Sequence, residues 1–212
     1  LDKSDGTANK GTYTLLVLPS GALQLVIANP DGADVIETDA GVITSGNWYE
    51  VSAVVDRDAK SMSLRVNGTE LASGLAGTAP SLVFDGELLL GNAAQGASGV
   101  SGFDGQLEML AIWNEARTAA QLAADFAGNP TLEDTLVGWW RFDEKSGDVV
   151  VDSSKAENNG VLGYEGVAGS LPVRVQGQLR DFPDLAGLTP THSRLEGGPT
   201  IFEVGSDFAG FD

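Results

Sequence analysis

The sequence of 212 residues contains no cysteine and a single histidine, His192. The lack of cysteine excludes disulfides, thiolate metal sites and cysteine catalysis. No run of about 18 apolar residues is present, so we expect no membrane insertion. Basic residues are scarce, because 12 lysines and arginines stand against 30 aspartates and glutamates, for a net charge of −18. Phosphate binding needs a basic surface, so no nucleic-acid partner is expected.

Catalytic patterns are missing too. Retaining glycoside hydrolysis needs two carboxylates on one strand face, and the spacing Glu-x-Asp-x-x-Glu occurs nowhere in the chain. A Ser-His-Asp triad would have to use His192, which lies between Thr191 and Ser193 in an irregular tail. A solvated loop residue is the better interpretation of this histidine. The sequence therefore predicts a protein that is not an enzyme.

Glycine is abundant, with 28 residues, and apolar runs are short and broken by turns. This composition is typical of an all-β protein. Ser61 to Val66 alternates between apolar and polar residues, which indicates a half-buried antiparallel strand, and Asn67-Gly68 predicts a type I′ hairpin turn. A helix is expected over 115–126, with Asn114 as its N-cap. Further strands are expected over 12–18, 22–28, 35–38, 41–44, 48–56, 69–72, 83–90, 106–113, 136–142 and 149–151.

Several motifs follow one another in a recognisable order. They are Trp48 at the start of its strand, Asn67-Gly68, Leu90-Gly91, the run from Phe103 through Trp113-Asn114 to Arg117-Thr118, and Leu136-Val137-Gly138-Trp139-Trp140-Arg141-Phe142-Asp143. This order resembles the laminin-G-like, pentraxin-like family over roughly residues 11–163. The resemblance implies an all-β fold, an antiparallel β-sandwich of the concanavalin A-like jelly-roll type with one short helix. It also implies binding at a surface rather than catalysis.

The chain departs from the family at its front, since the family's opening strands would lie before Leu1. Either residues 164–212 or a partner chain supply them, or the chain is a piece of a longer protein, which is the favoured interpretation. We expect residues 1–163 to form the sandwich and 164–212 to be a linker or the start of a second module. The stretch from Val175 to Phe182 is faintly similar to fibro-slime (PA14-like) surface modules.

Two candidate sites lie in the last of these motifs, which begins at Leu136, and in the residues that follow it up to Asp152. We call this stretch the closing motif. Carboxylate oxygens are the ligands that calcium prefers, and Asp143, Asp148 and Asp152 are the predicted metal ligands. Neighbouring residues of a strand face opposite sides, so one of Trp139 and Trp140 is expected to face outward and, with Arg141, to contact a ligand. Trp48 and Trp113 are expected in the core.

The sequence thus predicts a non-catalytic extracellular binding or adhesion module, braced by calcium, in a bacterial surface or secreted protein. Its partner would be a glycan or a surface protein. One alternative is a structural subunit or spacer of an extracellular assembly, with its open edge completed by a neighbouring chain or domain. A weaker alternative is an accessory domain of a polysaccharide-degrading enzyme.

Overall fold

The computed structural model describes residues 1–3, 13–29, 32–77, 87–91, 103–128, 130–163, 172, 174–175 and the backbone of 201–205. Within these ranges the chain forms short strands and one helix. The elements are β1 (Asp2–Lys3), β2 (Tyr13–Val17), β3 (Leu23–Asn29), β4 (Gly32–Glu37), β5 (Val51–Asp56), β6 (Ser61–Val66), β7 (Thr69–Leu75), β8 (Met109–Trp113), α1 (Ala119–Gly128), β9 (Leu136–Trp140), β10 (Val149–Val150), β11 (Gly160–Val161) and β12 (Ile201–Gly205).

The strands build two large sheets and one small one. The first large sheet has the order β1-β2-β3-β4 and is antiparallel throughout. The second has the order β7-β6-β5-β12-β8-β9, and the third is the hairpin β10-β11. The described part of the chain contains no helix of the length and apolarity that a membrane crossing needs. This architecture confirms the predicted all-β sandwich with one short helix.

The main core lies between the two large sheets. Alternate residues of their strands supply the apolar side chains, as the period-two pattern predicts. In β6, Met62, Leu64 and Val66 are buried as expected. The other buried members include Tyr13, Leu15, Leu23, Leu25, Ile27, Ile36, Val51, Ala53, Val55, Leu110, Ile112 and Trp140. Trp48, which we expected in this core, is only half-buried.

A second apolar cluster covers the outer face of β8 and β9. It consists of Met109, Ala111, Trp113, Leu136 and Trp139, and Phe126 of α1 packs against it. The helix therefore closes the face of these two strands that would otherwise meet solvent. As a result β8 is buried along its whole length.

The turns that shape the first half of the sandwich combine one confirmed and one wrong prediction. Asn67 and Gly68 both have positive φ, 50° and 75°, as the type I′ hairpin between β6 and β7 requires. The segment 41–44 is not a strand. Instead the N–H groups of Gly41 and Ile43 donate to the carbonyls of Ser20 and Gly21, which ties this segment onto the β2–β3 turn.

The helix begins later than the sequence pattern suggested. Its N-cap is Thr118 rather than Asn114, whose N–H instead donates to the carbonyl of Thr135. Thr118 Oγ1 accepts from the N–H of Gln121 at 3.3 Å, and Gln121 Oε1 accepts from the N–H of Thr118 at 2.9 Å. This reciprocal pair is a capping box, which fits the Thr-x-x-Gln spacing.

One strand comes from residues 164–212, which we expected to be a linker or the start of a second module. β12 runs parallel to β5 on one side and to β8 on the other. His192 and, apart from Val175, the stretch from Val175 to Phe182 lie outside the described residues. Of the predicted strand 83–90, the described end is an isolated bridge from Leu89 to Asp2.

Candidate functional site

The closing motif begins at β9, where the two neighbouring tryptophans are both withdrawn from solvent. Trp140 is 6% exposed in the main core, and Trp139 is 8% exposed beneath α1. Each indole N–H has an acceptor, Asn158 O at 2.9 Å for Trp140 and Met109 Sδ at 3.0 Å for Trp139. The expectation that one of them faces outward is therefore wrong, because the helix covers the outer face of β9.

Arg141 is the member of the predicted ligand set that lies at the surface. Its side chain is half exposed and its Nη2 lies 2.8 Å from Asp143 Oδ2. The guanidinium also sits 5.6 Å from the ring centroid of Trp139, a cation–π distance. Arg141 thus covers part of the Trp139 ring, while half of its side chain remains exposed to solvent.

Asp152, a predicted metal ligand, is buried and holds four hydrogen bonds. Its Oδ1 accepts from the N–H of Trp139 at 2.7 Å and of Ser154 at 2.8 Å. Its Oδ2 accepts from Ser154 Oγ at 2.8 Å and from the N–H of Asn158 at 2.9 Å. Backbone N–H groups form strong hydrogen bonds with a carboxylate. Asp152 therefore joins the 152–158 turn to β9.

The three predicted calcium ligands do not come together. Among the residues that the structure describes, no group of three or more His, Asp or Glu side chains could hold a metal ion. Asp143 pairs with Arg141, Asp148 is exposed, and Asp152 is occupied by the bonds just described. This donor set does not fit calcium. Calcium binding elsewhere in the chain stays a prediction.

Glu144 anchors the segment that follows the sandwich. Its Oε1 accepts from the N–H of Val151 at 2.7 Å, and its Oε2 accepts from Arg174 Nη1 at 2.8 Å. Partial burial acts to raise the pKa of Glu144, but these hydrogen bonds and the charge of Arg174 bring it below its ordinary value. Arg174 also donates to the carbonyls of Gly147 and Val149, at 3.0 to 3.2 Å.

The β10–β11 hairpin presents an apolar face that the sequence analysis missed. Val149 and Val161 are cross-strand partners, and Val151 lies two residues from Val149, so all three share one face. They are 51%, 71% and 47% exposed, whereas Val150 between them is buried against the core. We call Val149, Val151 and Val161 the valine face. Their alternation with the buried Val150 and Asp152 is the signal that could have found it.

Arg141 borders this face. Trp140 and Asp152 form an antiparallel bridge, and their next neighbours are Arg141 and Val151. Trp140 and Asp152 point inward, so Arg141 and Val151 lie side by side on the outer surface. The surface therefore combines an apolar centre with the Arg141–Asp143 ion pair at its rim.

A second cluster of charges lies where α1 meets the sandwich. Arg117 is buried, and its guanidinium pairs with Asp125 at 2.6 Å, Glu115 at 2.7 Å and Glu133 at 3.2 Å. It also lies 4.9 Å from the ring centroid of Trp113. Burial opposes the charge of Arg117, but the hydrogen bonds to Asp125 and Glu115 hold its pKa above the usual value. Arg117 therefore serves to attach the helix.

Comparison with known families shows to which family the chain belongs. A family model described as the concanavalin A-like lectin/glucanases superfamily, of laminin-G type, matches residues 2–123. The chain belongs to this family. The laminin-G-like domain thus includes the first large sheet, strands β5 to β8 and the start of α1. Domains of this family are in general non-catalytic binding modules.

Comparison with solved structures shows one distant likeness. The chain is 19% identical to a crystallised S-layer domain-containing protein (residues 221–444) from Clostridium thermocellum ATCC 27405, with a TM-score of 0.34. The match covers 56% of this chain and 57% of that one, so it spans little more than half of the solved structure. At that score the likeness supports no conclusion about function. No curated protein matches the sequence.

Proposed function

We propose that this laminin-G-like domain is a non-catalytic extracellular module that binds a protein partner through the valine face. The observation that carries the proposal is the exposure of Val149, Val151 and Val161 side by side on one face of the β10–β11 hairpin. Clustered exposed apolar side chains with a polar rim are typical of interaction sites. Arg141 and Asp143 supply that rim.

Two of the buried carboxylates, Asp152 and Asp125, have structural partners. Asp152 accepts three backbone N–H groups and one hydroxyl, and Asp125 pairs with Arg117. Each of these carboxylates therefore fixes a turn or a helix in place. This use of charge is structural, and it agrees with the general character of the family.

A protein partner is favoured over a glycan because of the chemistry of the exposed face. Sugar rings stack on exposed aromatic rings, and the structure buries both Trp139 and Trp140. Aliphatic side chains surrounded by charges are instead suited to the apolar centre of a protein interface. A stable interface buries about 800 Å² on each side, so the partner would contact the valine face together with its charged surroundings.

The test is a binding screen against immobilised extracellular proteins and a glycan array, in calcium and again in EDTA. Val161→Asp places a charge on the valine face, at its most exposed residue. Leu75→Asp is the matched control, since Leu75 is 81% exposed on β7, in a different sheet. We expect a protein ligand whose binding falls at least tenfold in Val161→Asp and is unchanged in Leu75→Asp.

Two outcomes would contradict the proposal. One is saturable glycan binding that Val161→Asp leaves intact. The other is silence on both screens from a sample shown by circular dichroism to be folded. The EDTA arm separately tests the predicted need for calcium.

A second candidate function is a structural subunit of an extracellular assembly. It is suggested by β12, because a strand from far along the chain occupies the middle of the larger sheet, and the same strand of a second copy forms the same backbone pairs there. Size-exclusion chromatography at rising protein concentration tests it, and a strictly monomeric protein would count against it.

A further inference from the structure

The larger sheet has an unusual central strand. β12 is parallel to both β5 and β8, whereas the other neighbouring strands of this sheet are antiparallel. Antiparallel neighbours can be joined by a tight hairpin, but parallel neighbours need a long crossover. β12 therefore enters the sheet as a separate piece of chain, with no turn that couples it to either neighbour.

The register places this strand level with the main core. Phe202 is the partner of Val51 on one side and of Leu110 on the other, and Val204 is the partner of Ala53 and Ile112. All four of these partners are buried core residues. The sequence Ile-Phe-Glu-Val-Gly also alternates as a strand should. The position between β5 and β8, which we call the strand slot, is therefore suited to an apolar alternating segment.

The strand slot cannot stay empty without cost. Without β12, the backbone N–H and C=O groups along one side of both β5 and β8 would lose their partners. Unpaired backbone groups in a sheet invite the addition of another strand. The slot therefore acts as an acceptor for whichever suitable segment reaches it.

The connection to β12 is long enough to reach another molecule. The 25 residues 176–200 join it to Val175. Fully extended, they span about 80 Å, while a domain of this size is about 40 Å across. The same pairs of backbone groups form whether the strand inserts into its own sheet or into that of a neighbour. The linker gives the chain's own β12 an effective concentration in the millimolar range at the strand slot. Insertion into the chain's own sheet is therefore favoured until the concentration of neighbouring copies reaches that range.

We infer that the strand slot is an intermolecular acceptor site, and that a second copy of this chain supplies the strand. At millimolar local density, β12 of one copy enters the slot of the next. Because donor strand and acceptor slot are different surfaces, the contact is heterologous and can repeat into a chain of subunits. This inference names the site and the partner of the structural function, and it is independent of the valine face.

The lack of native cysteine makes the test direct. One copy of the chain carries Ser52→Cys together with Val204→Pro, so that its own β12 is prevented from pairing, since proline is not accepted in a central strand. A second, size-tagged chain carries Glu203→Cys, because Glu203 and Ser52 are Cα partners in the sheet. The two are unfolded, mixed at high concentration, refolded and treated with a short thiol cross-linker.

We expect a cross-linked pair of tagged and untagged chains, at least tenfold more abundant than in the matched control. The control replaces Ser52→Cys by Ser61→Cys on β6, which is not adjacent to β12. If no mixed pair forms, while Ser52→Cys and Glu203→Cys in one chain cross-link internally, the strand stays within its own molecule and the inference is wrong. If neither arrangement cross-links, β12 does not occupy the slot and the inference is also wrong.

The folding of the proline variant gives a second test that does not depend on cross-linking. If the Ser52→Cys, Val204→Pro chain is unfolded alone but regains its β-sheet circular dichroism when the donor chain is added, the exchange is supported. If it stays unfolded at every donor concentration, the slot does not accept a strand from a second copy.

Discussion

The guanidinium of Arg117 and the carboxylate of Asp125 lie 2.6 Å apart, and the side chains are 3% and 5% exposed. This pair links the segment after β8 to the middle of α1, across eight residues of sequence. Burial raises the pKa of Asp125, and the pairing with Arg117 acts against that shift. The attachment of the helix over Trp139 therefore depends on both partners being present.

Replacement of Arg117 by alanine should destabilise the domain by about 3 to 5 kcal/mol, because it leaves Asp125 buried and uncompensated. Arg65→Ala is the control, since Arg65 pairs with Glu70 at the surface and such pairs contribute about 0 to 1 kcal/mol. Urea denaturation followed by tryptophan fluorescence measures both. An equal decrease in the free energy of unfolding in the two variants would show that the buried Arg117–Asp125 pair stabilises the domain no more than a surface pair does.

Asp152→Ala should cost about 3 kcal/mol, because it leaves the buried N–H groups of Trp139 and Ser154 and the part-buried N–H of Asn158 without an acceptor. The loss should be the same in calcium and in EDTA, since the carboxylate serves the backbone. Asp148→Ala, at an exposed position, should change stability by less than about 0.5 kcal/mol. A loss for Asp152→Ala seen only in calcium would assign this residue to a metal after all.

Glu50 should make stability depend on pH. It is 4% exposed just before β5, and burial raises its pKa from 4.5 to about 7. The folded state therefore binds the proton more tightly than the unfolded state. The contribution of this proton to the free energy of unfolding is complete below pH 4.5, and it is lost as the pH rises through about 7.

The variant Glu50→Gln should remove this dependence. Its stability relative to the native protein should increase between pH 4.5 and pH 8, by up to about 3 kcal/mol for a shift of this size. Glu70→Gln on the exposed strand β7 is the control. A stability difference that is constant over this pH range would rule out a buried, titrating Glu50.

Gly138 lies against the ring of Trp140. A Cβ added at Gly138 would be 2.2 Å from Cη2 of that indole, whereas one added at Gly160 would meet ordinary contacts at 3.7 Å or more. Trp140 is buried in the main core, so Gly138→Ala should destabilise by about 1 to 3 kcal/mol. Gly160→Ala should be tolerated. Thermal melts compare the two, and equal melting temperatures would contradict the close packing.

The sequence predicted the sandwich well where one face of a strand is buried. Ser61 to Val66 alternates so regularly that β6 was placed residue for residue, and Asn67-Gly68 determined the next turn. The helix start was missed by four residues, although the Thr-x-x-Gln spacing at Thr118 is visible in the sequence. Asn114 is a plausible cap in isolation, but its N–H donates to the carbonyl of Thr135. This bond continues the pairing of β8 with β9 by one residue, so the helix begins later.

The candidate site was harder to predict because it depends on contacts between distant residues. Alternation correctly places Trp139 and Trp140 on opposite faces, yet it cannot show that α1 returns to cover the outer one. Nor can it show that Asp152 accepts the peptide N–H of Trp139 in β9. β12 was missed because five residues within a Pro- and Gly-rich tail carry too short a pattern to stand out.

Arg174 also has a mechanical consequence. Its guanidinium is bonded to Glu144, Gly147 and Val149 at the point where the chain leaves the sandwich. Tension in the segment that joins Val175 to β12 is therefore transmitted at its start to these bonds, and from Glu144 to the N–H of Val151. The hairpin that carries the valine face bears this tension at one end of the segment and β12 bears it at the other, so the shape of this surface is coupled to load.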